Sequence, residues 1–240
     1  MKFISKYHLG TRWRLKLITS TLPINKLDYM LDAGCGDGFI SYYLSRKVKK
    51  VMGVDISKEL IEFNKKFSNK NLSFLKLDLN KLPKKFNRTF DKIICTDVLE
   101  HAFYFANIIH NFSKALKRGG NILITIPLFE GHGHFKHKDL NYLRKLFEKE
   151  NFKNITLRYI QMPLFTKLIN NLINYFRKLT GYEMKEVDIF QDTLSFKLRK
   201  KETLLFRIYK IIFSLLFLLT YLDFKTYRNG EDFILIKAVK

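Results

Sequence analysis

Residues 31 to 38, Leu31-Asp32-Ala33-Gly34-Cys35-Gly36-Asp37-Gly38, constrain this chain more than any other stretch. An apolar approach, Tyr29-Met30-Leu31, precedes them, and a helical pattern of Phe39, Tyr42, Tyr43 and Leu44 follows. That order predicts a strand, a glycine turn and a helix. Glycines at alternate positions let the backbone turn sharply and come within contact distance of a ligand, because no Cβ intervenes. On their own they also fit an ordinary tight turn between strand and helix. Asp32 and Asp37 narrow the choice of ligand. A dinucleotide pyrophosphate needs bare N–H groups at a helix N-terminus, and two carboxylates beside the loop repel it, which disfavours a dehydrogenase. A sulfonium or an ammonium is attracted instead.

Three further segments repeat the theme. Val51-Met52-Gly53-Val54-Asp55 reads as a short buried strand ending in an acid 17 positions beyond Gly38, where such folds hold ribose hydroxyls. Phe74-Leu75-Lys76-Leu77-Asp78-Leu79 reads as a third strand ending in an acid. A fourth, Phe90 to Thr96, runs into the polar turn Asp97-Val98-Leu99-Glu100-His101. Strands are expected near 28–33, 50–55, 71–77, 91–96 and 121–126, with helices near 37–47, 57–68, 102–117 and 137–150. Ser57 is the expected N-cap of the second helix. Lys117-Arg118-Gly119-Gly120 is expected to close the helix near 102–117, with basic residues and a terminal glycine. Such alternation implies a parallel sheet with helices on both faces and ligand sites at the carboxyl ends of the strands.

Polar residues at four strand ends in this order resemble the class I S-adenosylmethionine-dependent methyltransferases, over about residues 28 to 160. The resemblance implies an α/β, Rossmann-like sheet of seven strands, mostly parallel, with an antiparallel last strand. It also implies S-adenosyl-L-methionine as cofactor. Gly34, Gly36 and Gly38 would then form the loop under the methionine moiety, with Asp32 facing its amino end. Asp55 would hold the ribose with Ile56 against the adenine, Asp78 would meet the adenine amino group with Leu79 beside it, and Thr96 and Asp97 would line the methyl-donor end. Asp97-Val98-Leu99-Glu100-His101 is similar to a segment of ubiquinone-biosynthesis O-methyltransferases, whose acids and histidine serve a divalent metal or the acceptor. Here Asp97 stands in place of glutamate, and no metal is expected. Glu130-Gly131-His132-Gly133-His134-Phe135-Lys136-His137 matches no standard zinc spacing and resembles the histidine-bearing loop that small-molecule methyltransferases place over the acceptor. His101, His134 and Asp97 are therefore the catalytic candidates, with Glu100 a further candidate base.

Four regions follow from this reading: a helical N-terminal lid over residues 1–27, the cofactor-binding core over 28–160, a helical insertion over 161–232, and a final strand over 233–240. In the first, Tyr7, His8, Arg12 and Trp13 either face the pocket or pack at the sheet edge. The insertion departs from the family pattern. Leu164, Phe165, Leu168, Ile169, Leu172, Ile173, Phe176 and Leu179 recur at helical spacing. The uncharged run from Ile211 to Leu222 falls short of the roughly 20 residues that span a bilayer. Residues 163–222 accordingly either cover the acceptor pocket or lie in a membrane interface.

The formal charge of +22 invites a polyanionic partner, yet lysine outnumbers arginine 33 to 11, and phosphate and base readout favours the arginine fork. The segment after the fourth strand also lacks the Asn/Asp-Pro-Pro-aromatic sequence common in enzymes that methylate nucleobase amines. Two cysteines with no bridging pattern and an N-terminus without a signal-peptide pattern indicate a cytoplasmic protein, attached at most to the inner face of the membrane. The expected function is methyl transfer to a small-molecule or lipid-linked acceptor. The alternatives are an RNA methyltransferase, favoured by charge, and a non-catalytic protein that binds the cofactor or a membrane.

Overall fold

The computed structural model describes residues 9–128, 139–161 and 232–240. His134, Tyr7, His8 and nearly all of the expected insertion lie outside the described residues.

Twelve elements build the described fold: α1 Leu9–Thr21, β1 Tyr29–Ala33, α2 Phe39–Leu44, β2 Lys50–Asp55, α3 Lys58–Lys65, β3 Leu72–Lys76, β4 Phe90–Thr96, α4 Phe105–Ala115, β5 Leu116–Pro127, α5 Leu140–Lys149, β6 Lys153–Ile160 and β7 Phe233–Val239. The seven strands form one sheet in the order β3-β2-β1-β4-β5-β7-β6. β1 to β5 pair in parallel, and β7 runs antiparallel to both of its neighbours. This is the seven-stranded, mostly parallel sheet the sequence implied.

Consecutive strand residues point to opposite faces, and here both faces are apolar. Met30, Ile94, Leu123 and Leu235 join Trp13 and Leu17 of α1, Phe39 of α2 and Ile61 of α3 in one core. Leu31, Ile93, Ile124 and Ile234 join Ile109 and Phe112 of α4 and Phe147 of α5 in the other. The helix of the first region thus packs on a face of the sheet, with the Trp13 ring 4.8 Å from that of Phe233 in β7.

Helix ends follow local chemistry. The Ser57 hydroxyl accepts from the Leu60 N–H at 3.3 Å and caps α3. Ser57→Ala is expected to lower stability by about 1 kcal/mol, read as a shift of the urea midpoint at constant m-value. α5 ends on Asn151 at φ 59°, the left-handed position that asparagine tolerates.

Lys117 to Gly120 do not close α4. The helix stops at Ala115, and its last carbonyls, on Lys114 and Ala115, accept from the backbone N–H groups of Arg88 and Thr89. Leu116 already pairs with Phe90, and after a register shift Asn121 pairs with Lys92, so these residues form the irregular start of β5. Capping from a distant segment replaced the glycine cap expected from sequence.

Candidate functional site

The sheet register aligns the expected ligands. Asp32 pairs with Gly53 and Ile94, Asp55 with Lys76, and Thr96 with Thr125. Asp78, Asp55, the glycine loop, Thr96 and Asp97 therefore lie in a row at or just past the carboxyl ends of β3, β2, β1 and β4. The loop leaves the sheet on hydrogen bonds from Gly34 and Cys35 N–H to the Val54 carbonyl, at 2.8 and 2.9 Å.

Gly34, Gly36 and Gly38 have φ of 78°, 53° and 79°, the left-handed region where side chains are strained. Neighbouring elements fix this conformation. One Asp55 oxygen accepts from Gly36 N–H and the other from Ser57 N–H, both at 2.9 Å. The Asn64 amide donates to the Gly36 carbonyl at 2.7 Å. Val98, in the turn after β4, covers Gly34 so closely that an added Cβ would lie 2.2 Å from a Val98 methyl.

Asp32 is 3% exposed and accepts from the Ser41 hydroxyl at 2.5 Å. Burial pushes its carboxyl up to about 7, with the Asp55 charge adding to the rise and the Ser41 hydrogen bond opposing it. Asp37 accepts from Phe39 N–H at 3.2 Å, an Asx turn that leads into α2, as well as adding negative charge. Ile56 is 68% exposed, as a flat apolar contact for a ring requires. Asp78 caps a short 3-10 turn through Asn80 N–H at 2.9 Å, and Leu79 behind it is buried in the second core.

At the far end of the row the candidates separate. Asp97, at φ 54°, accepts from the Thr125 hydroxyl at 2.7 Å and pairs with the Arg14 guanidinium of α1. Both of its oxygens are engaged. The His101 side chain is 60% exposed, its Nε2 3.7 Å from a Glu100 oxygen. Glu100 is 1% exposed, and its other oxygen has no hydrogen-bond partner among the described residues. Burial, reinforced by the Asp97 charge, pushes the Glu100 carboxyl up to about 8. No group of three or more His, Cys, Asp or Glu side chains among the described residues is placed to hold a metal.

Sequence reading missed Arg14, Ser41, Asn64 and Thr125. Only Arg14 left a local trace. Thr11 and Arg14 stand three apart beside the apolar stripe of α1, and the guanidinium donates to the Thr11 hydroxyl at 3.1 Å.

A family model described as a methyltransferase domain matches residues 24–155. Ubiquinone biosynthesis O-methyltransferase of Coxiella burnetii is 33% identical over 121 residues, which cover 49% of this chain and 51% of that protein. A tRNA U34 carboxymethyltransferase of Helicobacter hepaticus is 27% identical over 143 residues, covering 54% and 45%. The chain spans about half the length of these curated relatives. Among solved structures, phosphoethanolamine N-methyltransferase 2 of Haemonchus contortus, in complex with phosphomonomethylethanolamine and S-adenosylhomocysteine, shares the fold at a TM-score of 0.61 and 19% identity, covering 95% of this chain and 52% of that one.

Proposed function

Since the chain belongs to the methyltransferase domain family, we propose that it is an S-adenosylmethionine-dependent methyltransferase acting on a small-molecule or lipid-linked acceptor. One observation carries the cofactor reading: a glycine cradle lined by Asp32, Asp37 and Asp55, with Arg14 as the cation paired across it at Asp97. Such a lining suits a ligand that bears a sulfonium and an ammonium together with a single carboxylate. A pyrophosphate would meet three acids.

In this reading Asp32 draws the ammonium, Asp55 takes the ribose hydroxyls, Ile56 meets the adenine ring, and Asp78 its amino group. Arg14 is the group for the carboxylate, since Asp97 keeps its Thr125 hydrogen bond when the guanidinium turns away. The cofactor supplies an electrophilic methyl group, and the chain's task is to align the acceptor in line with it and exclude water. Glu100 is better placed than Asp97 or His101 to exchange a proton with an oxygen acceptor, because among the described residues it has one oxygen without a hydrogen-bond partner, in a dry setting. A small or lipid-linked acceptor is supported by the likeness to ubiquinone biosynthesis O-methyltransferase.

Calorimetric titration with S-adenosylmethionine tests the reading, with a nicotinamide dinucleotide as control. Asp55→Ala is expected to weaken binding by about thirtyfold, or about 2 kcal/mol. Dinucleotide binding in place of S-adenosylmethionine binding would overturn the assignment.

The likeness to a tRNA-modifying enzyme and the net charge of +22 favour RNA as a second acceptor class. An RNA enzyme would bind transfer RNA with an affinity falling steeply as salt rises; a shallow dependence removes this reading.

A further inference from the structure

We infer that the end of the sheet opposite the glycine loop carries a docking face for an anionic lipid surface, built from Lys26, Leu27, Arg46 and Lys47. Thr19, Ile24, Lys26, Arg46, Lys47 and Val48 line an open cleft of about 570 Å³. It lies among the end of α1, the loop entering β1 and the connection from α2 to β2. These segments meet at the amino ends of β1 and β2, whereas the glycine loop leaves the carboxyl end of β1.

Among the described residues, three cations line the cleft and no acid does. Asp28, the acid next in sequence, is buried, accepting from Asn25 N–H at 2.7 Å and standing 3.8 Å from the Lys92 ammonium. Among the described residues, Lys26, Arg46 and Lys47 have no ion-pair partner; the Lys47 ammonium stands 5.2 Å from the Tyr43 ring centre. Exposed Lys49 extends the basic strip. Leu27, next to Lys26 in the turn that enters β1, is 77% exposed.

The leucine selects the partner. A basic cleft alone would suit any polyanion, but an outward leucine gains nothing against the phosphodiesters of a nucleic acid. At the boundary between headgroups and acyl chains the same side chain leaves water while its cationic neighbours stay among phosphates. Lysine, a hydrated point charge, also suits a diffuse anionic surface better than a site demanding bidentate contacts.

Co-sedimentation of the full chain with phosphatidylcholine vesicles, alone or mixed with phosphatidylglycerol, tests this face. Wild type is expected to bind the mixed vesicles at low salt and to ignore pure phosphatidylcholine. The triple variant Lys26→Glu, Arg46→Glu, Lys47→Glu is expected to bind at least about a hundredfold more weakly, at about fivefold for each basic residue lost. Leu27→Ser is expected to weaken binding several-fold and to abolish the part that survives high salt. Melting temperature and S-adenosylmethionine affinity should stay unchanged in both variants, which separates this inference from the cofactor assignment. Wild type that ignores mixed vesicles would overturn the inference. Equal vesicle binding by the triple variant, or a variant defect confined to RNA binding, would do the same.

Discussion

Asp32→Asn is expected to weaken S-adenosylmethionine binding by about thirtyfold to a hundredfold at pH 8 while raising the melting temperature of the unliganded protein. The two effects share one origin. Asp32 is buried beside Asp55, and its carboxyl titrates at about 7. In the unfolded chain it would titrate near the ordinary value of about 3.9. Between those two values the folded protein holds a proton that the unfolded chain has lost. The contribution of Asp32 to stability is therefore whole below about pH 4 and falls as pH rises toward 7, by an amount of the order of 4 kcal/mol. Asparagine keeps an oxygen for the Ser41 hydroxyl and never ionises. The gain in melting temperature should thus appear at pH 8 and vanish at pH 4.

Binding runs the other way. A cation arriving near Asp32 favours its charged form and expels the proton, so affinity should climb by up to about tenfold per unit as pH rises toward 7. The cofactor's own amino group loses its proton at about 8, which ends the rise. Calorimetry in buffers of different ionisation enthalpy should show proton release in wild type and none in Asp32→Asn. Equal affinity of the two proteins at pH 8 would remove Asp32 from the ammonium site.

Gly34→Ala is expected to cost about 2–5 kcal/mol and with it the cofactor site. Two penalties combine there. The left-handed φ of 78° alone costs a side chain about 1–2 kcal/mol. The added Cβ would also meet the Val98 methyl at 2.2 Å, and overpacking of that kind costs about 1–3 kcal/mol more. Gly119 separates the terms, because its φ is 76° and nothing lies within 4 Å of the Cβ it lacks. Gly119→Ala should therefore show the conformational penalty alone, about 1 kcal/mol. Urea unfolding of the two variants measures the difference. Equal midpoints would mean that Val98 yields without cost.

Local pattern and long-range contact were unequally legible in the sequence. The glycines, Asp55 and Asp78 could be read because each follows a short apolar run, and a parallel sheet aligns the ends of such runs. The Arg14 to Asp97 pair could not, since it joins residues 83 apart and depends on how α1 lies across the sheet. Asp37 was read from its charge, although its carboxylate also serves the Phe39 N–H. Lys117 to Gly120 carried every mark of a helix end and became strand, because Arg88 and Thr89 reached the carbonyls first. Glu100 and Asp97 looked alike as acids in one turn. Only the packing around them distinguishes an engaged carboxylate from one with an oxygen to spare.

The position of β7 between β5 and β6 imposes an order of assembly. Among the described residues β6 pairs with the sheet only through β7, so that pairing waits until residues 233–239 have been made and laid alongside β5. Until then the growing chain carries β5 as an unpaired edge, open to the wrong partner. Pairing of β5 with β7 spans more than a hundred residues, which places it among the slow, high-separation contacts. A nascent chain halted before residue 233 would thus lack the strand that pairs with β5 and leave that ladder open.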